Sequence, residues 1–516
     1  MCACLREQVA VCNHDWRGRH EYLHCIFYRH SFARNRGDGR RSLIVSALIL
    51  SLFLGCGGSG QQDSPPKTDT PIQTDAATNA NFTINGAQTF QTMDGMGVNI
   101  NVNSWNSGQL APALNLLVTT NGSSLIRVIR DPMDWVTSES VIPALHSLDP
   151  VTLQQVYEAP KMQDIWNTIG ALNLIGVRGN QIVLNFMGWT PTWLGGSGAF
   201  GVRSYITAGK EQQFATMIAS LMYYGRKVKN LDFLLLTPLN ESDLDFNCLE
   251  GPCVDASQYV TILRALIAEL DTMGLSDVRL VGPDAADRVV GRGYISLMMA
   301  DSLVAGRIDH IGEHAYGTSA SPGTPFPSKS YWLTESAARC DSCDAGGTVA
   351  GGEWNFARAT TDYFLGDLAN GYSGILVYDA YDSFYYHHNN VGFWGLLAFN
   401  QTTGIYTPRA RFYANAQLNR FIRPGAVRIG VNNSIPGVTV VAFSHPVSGQ
   451  VSIVGHNTGA SPVTLNGLLQ NLPIVSSFAL YQTNASLNLQ RAADIAVVGG
   501  AFSVTIPADT FFSMAN

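Results

Sequence analysis

Glu241 and Glu335 each close a short apolar run, DFLLLTPLNES over residues 232–242 and SYWLTES over residues 330–336. Two carboxyl groups held in one cleft can divide the work of cleaving an acetal. One protonates the leaving oxygen, and the other acts as base or nucleophile. A separation of about 5–5.5 Å serves retention of configuration, whereas about 6.5–9.5 Å leaves room for an inverting water. Glu241, following Asn240, is expected to be the proton donor, with its pKa raised by burial or neighbours. Glu335 is expected to be the nucleophile and to stay ionised. Each glutamate alone also fits a salt-bridged residue at a strand end.

Other residues near strand ends suit a neutral, hydroxyl-rich ligand. Trp189, Trp193, Tyr316, Tyr381 and Trp394 could stack on sugar faces, and Asn185, Asn240 and His314 could fix hydroxyls or the nucleophile. The same aromatics could instead pack loops against helices. Arg127 lies inside an apolar run, where an unpaired guanidinium is costly, so it should meet a carboxylate, with Glu335 the obvious partner. Asp131, Asp134, Asp245 and Asp382 fit substrate binding or the tying of loops equally well. His387–His388, beside Tyr385–Tyr386, reads as a metal tract or, preferably, as a substrate-facing or structural loop.

These residues need elements to position them. Eight runs read as strands: Asp94–Val102, Leu125–Arg130, Gln181–Phe186, Leu231–Leu239, Val278–Pro283, His310–Tyr316, Ser330–Thr334 and Gly374–Asp379. Most lack sustained polar alternation, as parallel strands covered on both faces do. Helical spacing recurs between them, as in Gln213–Leu221, Tyr259–Leu270 and Tyr294–Leu303. One long βα series without GxGxxG or a P-loop predicts an α/β fold of the (β/α)8 TIM-barrel type over residues 91–424. Its strand ends open into one bowl, and Glu241 and Glu335 fall on its fourth and seventh strands. Residues 425–516 carry only short strands between Gly, Asn, Pro and Ser turns, which predicts a small C-terminal β-sandwich. Residues 81–90 could add a strand to it.

The chain has 516 residues, is 46% hydrophobic and 14% charged, and carries a net charge of −7. Residues 1–56 hold 8 basic and 4 acidic side chains, leaving 24 basic against 35 acidic in the rest. Such a body has no electrostatic reason to bind nucleic acid. Residues 1–56 read as a leader: an Arg-rich region, the apolar run Leu43–Leu54, then Gly55–Cys56. LFLGC resembles the bacterial lipoprotein signal, with Phe53 where Leu is commonest, and makes Cys56 the lipidation candidate. The expected location is extracytoplasmic, at the cell surface or outer membrane or secreted, with membrane contact only through the lipid. Residues 57–80 read as a flexible linker. A start codon placed too early would make Cys2, Cys4, Cys12 and Cys25 irrelevant. Cys248, Cys253, Cys340 and Cys343 then remain, an even number that favours disulfides in an exported protein; a zinc site is the alternative.

The order of motifs resembles glycoside hydrolase family 30 within the retaining (β/α)8 glycosidases, over roughly residues 81–516. QTMDGMGVN (91–99) resembles its opening barrel strand, TPLNES its acid/base segment, WLTES its nucleophile segment, RFYANAQLNRFIRPGAVRI (411–429) its passage into the sandwich, and SVTIPADT its closing strand. The resemblance implies Glu241 as acid/base, Glu335 as nucleophile, Arg127 as the strand-two arginine, and His314 or Tyr316 at the position contacting the nucleophile. It implies an oligo- or polysaccharide substrate with a β-linkage, as in glucanases, xylanases or galactanases. A two-carboxylate mechanism requires no cofactor and no metal, and a monomer is expected. Ser242 replaces the family's usual Pro, and DLDFNCLEGP (243–252) matches no subfamily pattern. A carbohydrate-binding protein on an inactive barrel and a retaining transglycosylase are the alternatives, and the sandwich is expected to be structural rather than a glycan-binding module.

Overall fold

The computed structural model describes residues 80–102, 110–244, 248–322, 326 and 328–516. The leader, Cys56, all of the linker but residue 80, and Asp245 lie outside the described residues. Strand β1 (Phe82–Thr92) precedes eight parallel strands: β2 (Gly95–Asn101), β3 (Leu125–Arg130), β4 (Gly179–Phe186), β5 (Phe233–Thr237), β6 (Arg279–Ala285), β7 (Ile308–Tyr316), β8 (Ser330–Ala337) and β9 (Gly374–Val377). β2 pairs with both β3 and β9, so the sheet closes into a barrel. This is the (β/α)8 architecture expected from the sequence. β5 is shorter than its apolar run because Pro238 has no N–H to continue the ladder. The helical run expected over Tyr294–Leu303 is two helices, Arg288–Ala300 and Ser302–Arg307. They break at Asp301, whose carboxylate accepts from Val304 N–H at 3.0 Å.

Alternation along a strand decides what fills the barrel. Leu125, Val183, Leu235, Val281, Trp332 and Leu376 form one buried cluster, drawn from six of the eight strands. Burial of each aliphatic member stabilises the fold by roughly 1.5–3 kcal/mol relative to exposure. Trp332 fits because its neighbour is Gly374, where an added Cβ would come within 2.8 Å of the indole. Two residues further along, on the same faces, stand Arg127, Asn185, Thr237 and Thr334, all fully buried. The barrel is thus apolar at one end and polar at the end that carries the carboxylates. The outward faces of the strands join the helices in the main core, with Phe214, Leu266 and Phe364 among its members. Among the described residues no helix is long and apolar enough to cross a membrane.

Beyond β9 come two hairpins, β10 (Ser383–Tyr385) with β11 (Asn390–Gly392), and β12 (Leu397–Asn400) with β13 (Ile405–Pro408). The C-terminal strands are β14 (Val427–Asn433), β15 (Val438–Ser444), β16 (Val451–Asn457), β17 (Val463–Gln470), β18 (Ser477–Thr483), β19 (Gln490–Arg491), β20 (Ile495–Ala496), β21 (Ala501–Ile506) and β22 (Thr510–Ala515). They make one continuous curled sheet, resembling a sandwich, around its own apolar cluster. β1 enters this sheet, antiparallel to β14 and parallel to β17. The sheet packs on the barrel through polar contacts that fix its seat. Ser513 Oγ donates to the Gln417 carbonyl at 2.7 Å, and Trp354 Nε1 donates to Asp509 at 2.7 Å.

Candidate active site

Arg127 is the hub of the polar end. Its guanidinium, without solvent exposure, donates to Glu335 Oε1 at 2.6 Å, Asn240 Oδ1 at 2.6 Å, Asp284 Oδ2 at 2.9 Å and Asn99 Oδ1 at 2.9 Å. Burial alone would lower its pKa, but Asp284 and Glu335 outweigh that and raise it. Asp284 also accepts from Thr334 Oγ1 at 2.8 Å. It fits against β7 because residue 312 is Gly; an added Cβ would lie 2.2 Å from Asp284 Oδ1.

Glu335, on β8, receives Arg127 on one oxygen and the Tyr316 hydroxyl on the other at 2.8 Å. Both oxygens of this buried carboxylate therefore accept from donors, which fixes its position. Glu241 lies four residues past β5 with φ +44°, in the left-handed region that a non-glycine residue seldom adopts. Its N–H donates to the Asp284 carbonyl at 3.0 Å, so the turn is held by the same residue that holds Arg127. His314 Nδ1 stands 2.7 Å from Glu241 Oε1 and 3.6 Å from Glu335 Oε2. Burial pushes the Glu241 carboxyl up to about 7, helped by the charges of Glu335 and Glu250 and opposed by His314. Burial would lower the His314 imidazole, but Glu335, Glu241 and Asp284 raise it to about 9. One ligating atom each from Glu241, His314 and Glu335 lies within 4.8 Å of the others.

A cleft opens above the two glutamates. Tyr316, Tyr378 and Trp394 form its aromatic wall, with Met187 beside them and Glu250, Asp344, His388, Arg339, Asp341 and Cys340 around the rim. Trp394 meets Tyr316 edge-on at 5.5 Å and donates its indole N–H to Asp344 at 2.6 Å. Burial raises the Asp344 carboxyl despite the opposing pull of His388.

Of the residues expected at a sugar cleft, Glu241, Glu335, Tyr316 and Trp394 line it. Arg127, Asn240 and His314 lie behind them, fully or almost fully buried, rather than facing the cleft: Arg127 and His314 hold the carboxylates, and Asn240 accepts from Arg127. Tyr381 is not brought to the cleft: it has no exposure and its hydroxyl donates to the Asn101 carbonyl at 2.9 Å. Asp382 is committed to a two-pronged pair with Arg409, at 2.7 Å on each oxygen. Trp193 packs on the core and donates to the Val136 carbonyl at 2.7 Å. Trp189 is half-buried and outside the cleft lining, and Asn185 is fully buried at the end of β4. Asp134 ties a loop, 3.3 Å from Lys161 Nζ.

The four cysteines form two bridges, Cys248–Cys253 and Cys340–Cys343, each within one rim loop. Their sulfurs are therefore not the ligands of a zinc site. Sequence reasoning missed Glu250, Asp344, Arg339, Asp341, Met187 and Tyr378, whereas His388 lines the cleft from the tract expected to face substrate or to be structural. Glu250 falls in the DLDFNCLEGP segment, which matches no subfamily pattern, and nothing local in the sequence places it at the cleft.

The fold is similar to that of solved glycoside hydrolase family 30 structures. A family 30 subfamily 8 xylanase, Xyn30A from Clostridium acetobutylicum, matches with a TM-score of 0.65 at 18% identity, covering 84% of this chain and 99% of that one. The catalytic domain of family 30 xylanase C from Talaromyces cellulolyticus matches with a TM-score of 0.64 at 18% identity, covering 84% and 99%. An endo-β1,6-glucanase matches with a TM-score of 0.62 at 16% identity, covering 84% and 93%. No protein-family model matches the sequence, and no curated protein does.

Proposed function

We propose that the protein is a retaining glycoside hydrolase acting on a β-linked glycan, with Glu335 as nucleophile and Glu241 as general acid/base. The observation that carries this reading is the closeness of the two carboxyls. Their nearest ligating atoms, with His314 between, lie within 4.8 Å, on the retaining side of the separations that distinguish the two outcomes. The environments differ in the way the two roles require. Glu335 accepts from Arg127 and Tyr316, one donor on each oxygen, which orients the carboxylate as a nucleophile. Glu241 is pushed up to about 7, where a carboxyl can deliver a proton and later recover one.

In the first step Glu335 attacks the anomeric carbon while Glu241 protonates the departing oxygen, giving a glycosyl ester and a free alcohol. In the second, Glu241 takes a proton from water, which displaces Glu335 with net retention. The aromatic wall of Tyr316, Tyr378 and Trp394 supports a sugar ring on one side of the carboxylates. The likeness of fold to xylanases and a glucanase makes β-xylans and β-glucans the first substrates to try. The leader ending at Cys56 supports export and attachment through a lipid. The test is a panel of β-glucans, xylans and galactans, with the anomeric configuration of the first-formed product read by NMR. A β-product formed before mutarotation is expected. An α-product, or no hydrolysis across the panel, would overturn the proposal.

A further inference from the structure

The rim of the cleft carries a second cluster, none of whose members is the acid, base or nucleophile of the reaction proposed above. His387 and His388 sit in the turn between β10 and β11, and both rings face the carboxylate of Glu250, which lies in the loop after β5. His387 Nε2 is 2.9 Å from Glu250 Oε2, and His388 Nε2 is 3.1 Å from Glu250 Oε1. One ligating atom from each of the three lies within 4.8 Å of the others. We infer that Glu250, His387 and His388 form a binding site for a first-row divalent transition ion of the zinc class, separate from the two carboxylates that carry the reaction proposed above.

Four observations carry this. The first is distance. Zinc bonds of 2.0–2.1 Å in a tetrahedron place neighbouring ligand atoms about 3.3 Å apart, so 2.9 and 3.1 Å need open by only a few tenths of an ångström.

The second is the outer support of His387. Its Nδ1 lies 2.5 Å from Asp131 Oδ2, and its backbone N–H reaches the same oxygen at 3.1 Å. A carboxylate on the far nitrogen fixes the tautomer that leaves Nε2 as a ligand, the usual outer support of a metal-bound imidazole.

The third is rigidity. The Glu250 carbonyl accepts from Gly188 N–H at 2.9 Å, and His388 N–H donates to the Tyr385 carbonyl at 3.2 Å. The ligands therefore come from backbone already held in place. The fourth is access. The Glu250 and His388 side chains are 19% and 26% exposed and line the cleft, so a fourth position would face solvent, with Asp344 Oδ1 3.9 Å from His388 Nε2. Two imidazole nitrogens select against calcium and magnesium, which take oxygen ligands.

Such an ion would cross-link the loops that follow β5 and β9 at the mouth of the cleft, with the loop after β3 tied to it through Asp131 on His387. The test is a titration of the full, chelator-treated chain with Zn²⁺, and with Co²⁺ as a spectroscopic reporter. The leader holds Cys2, Cys4, Cys12, Cys25 and Cys56, which can bind these metals themselves, so the readout is a difference between chains. Wild type should take one equivalent more than His388→Ala, with visible Co²⁺ bands of a nitrogen–oxygen site and a higher melting temperature on Zn²⁺ addition. Asp131→Asn should weaken that equivalent by about 10–100-fold. Equal stoichiometry and affinity in wild type, His387→Ala and His388→Ala would overturn the inference. So would a wild-type Co²⁺ spectrum with thiolate bands alone, or an extra equivalent lost in His314→Asn but kept in His388→Ala.

Discussion

Replacing His314 with asparagine moves the basic limb of the pH–rate profile upward. In the wild type His314 Nδ1 lies 2.7 Å from Glu241 Oε1 in a buried site, with its imidazole raised to about 9. At neutral pH the ring is therefore a cation, and its bond to Glu241 is charge-assisted. A hydrogen bond to a charged group contributes about 1.5–3 kcal/mol, and one pKa unit corresponds to about 1.36 kcal/mol. This bond favours the ionised carboxylate and opposes the burial that lifts Glu241 to about 7. Removing it leaves burial and the Glu335 and Glu250 charges unopposed, so Glu241 keeps its proton to higher pH. The basic limb of kcat/KM, which reports loss of the acid's proton in the free enzyme, rises by about one to two pH units. The assay is kcat/KM against pH for wild type and His314→Asn, with an aryl β-glycoside of whichever sugar the panel selects. Total activity falls as well, because His314 also lies 3.6 Å from Glu335, but the position of the limb is the readout. A limb that stays put or moves down would refute Glu241 as the titrating acid.

Two further outcomes follow from the same geometry. Glu241→Gln cannot donate a proton, so hydrolysis of substrates with poor leaving groups falls by about 10²–10⁴-fold, while activated aryl glycosides lose far less; equal losses in steady-state kinetics on both would count against the assignment. Arg127→Met leaves Asp284 and Glu335 buried without their cation, which costs about 3–5 kcal/mol; a loss below about 1 kcal/mol in a denaturant melt would show that the hub does not hold the barrel end together.

The barrel was legible because its strands are covered on both faces, and eight short apolar runs at βα spacing leave few other architectures. Arg127 was legible for a related reason: a guanidinium inside a strand has to find a carboxylate, and from β3 it reaches Glu335 on β8 across the barrel interior. The rim was much less so. Tyr381 and Trp394 have the same aromatic character, yet one donates into the backbone at Asn101 and the other into the cleft wall at Asp344. Only the path of the loop after β9 distinguishes them. Glu250 and His388 are 138 residues apart in sequence, and no local pattern joins them. Asp301 shows the limit for helices: apolar spacing continues through it, but its carboxylate caps a new helix.

The central claim is that Glu335 forms the covalent bond to the sugar, and azide rescue of Glu335→Ala tests it most directly. With an activated β-glycoside, the variant should be nearly inactive yet folded, and azide should restore turnover with an α-glycosyl azide as product. Normal hydrolysis without azide, or a β-glycosyl azide from the rescued variant, would contradict the account.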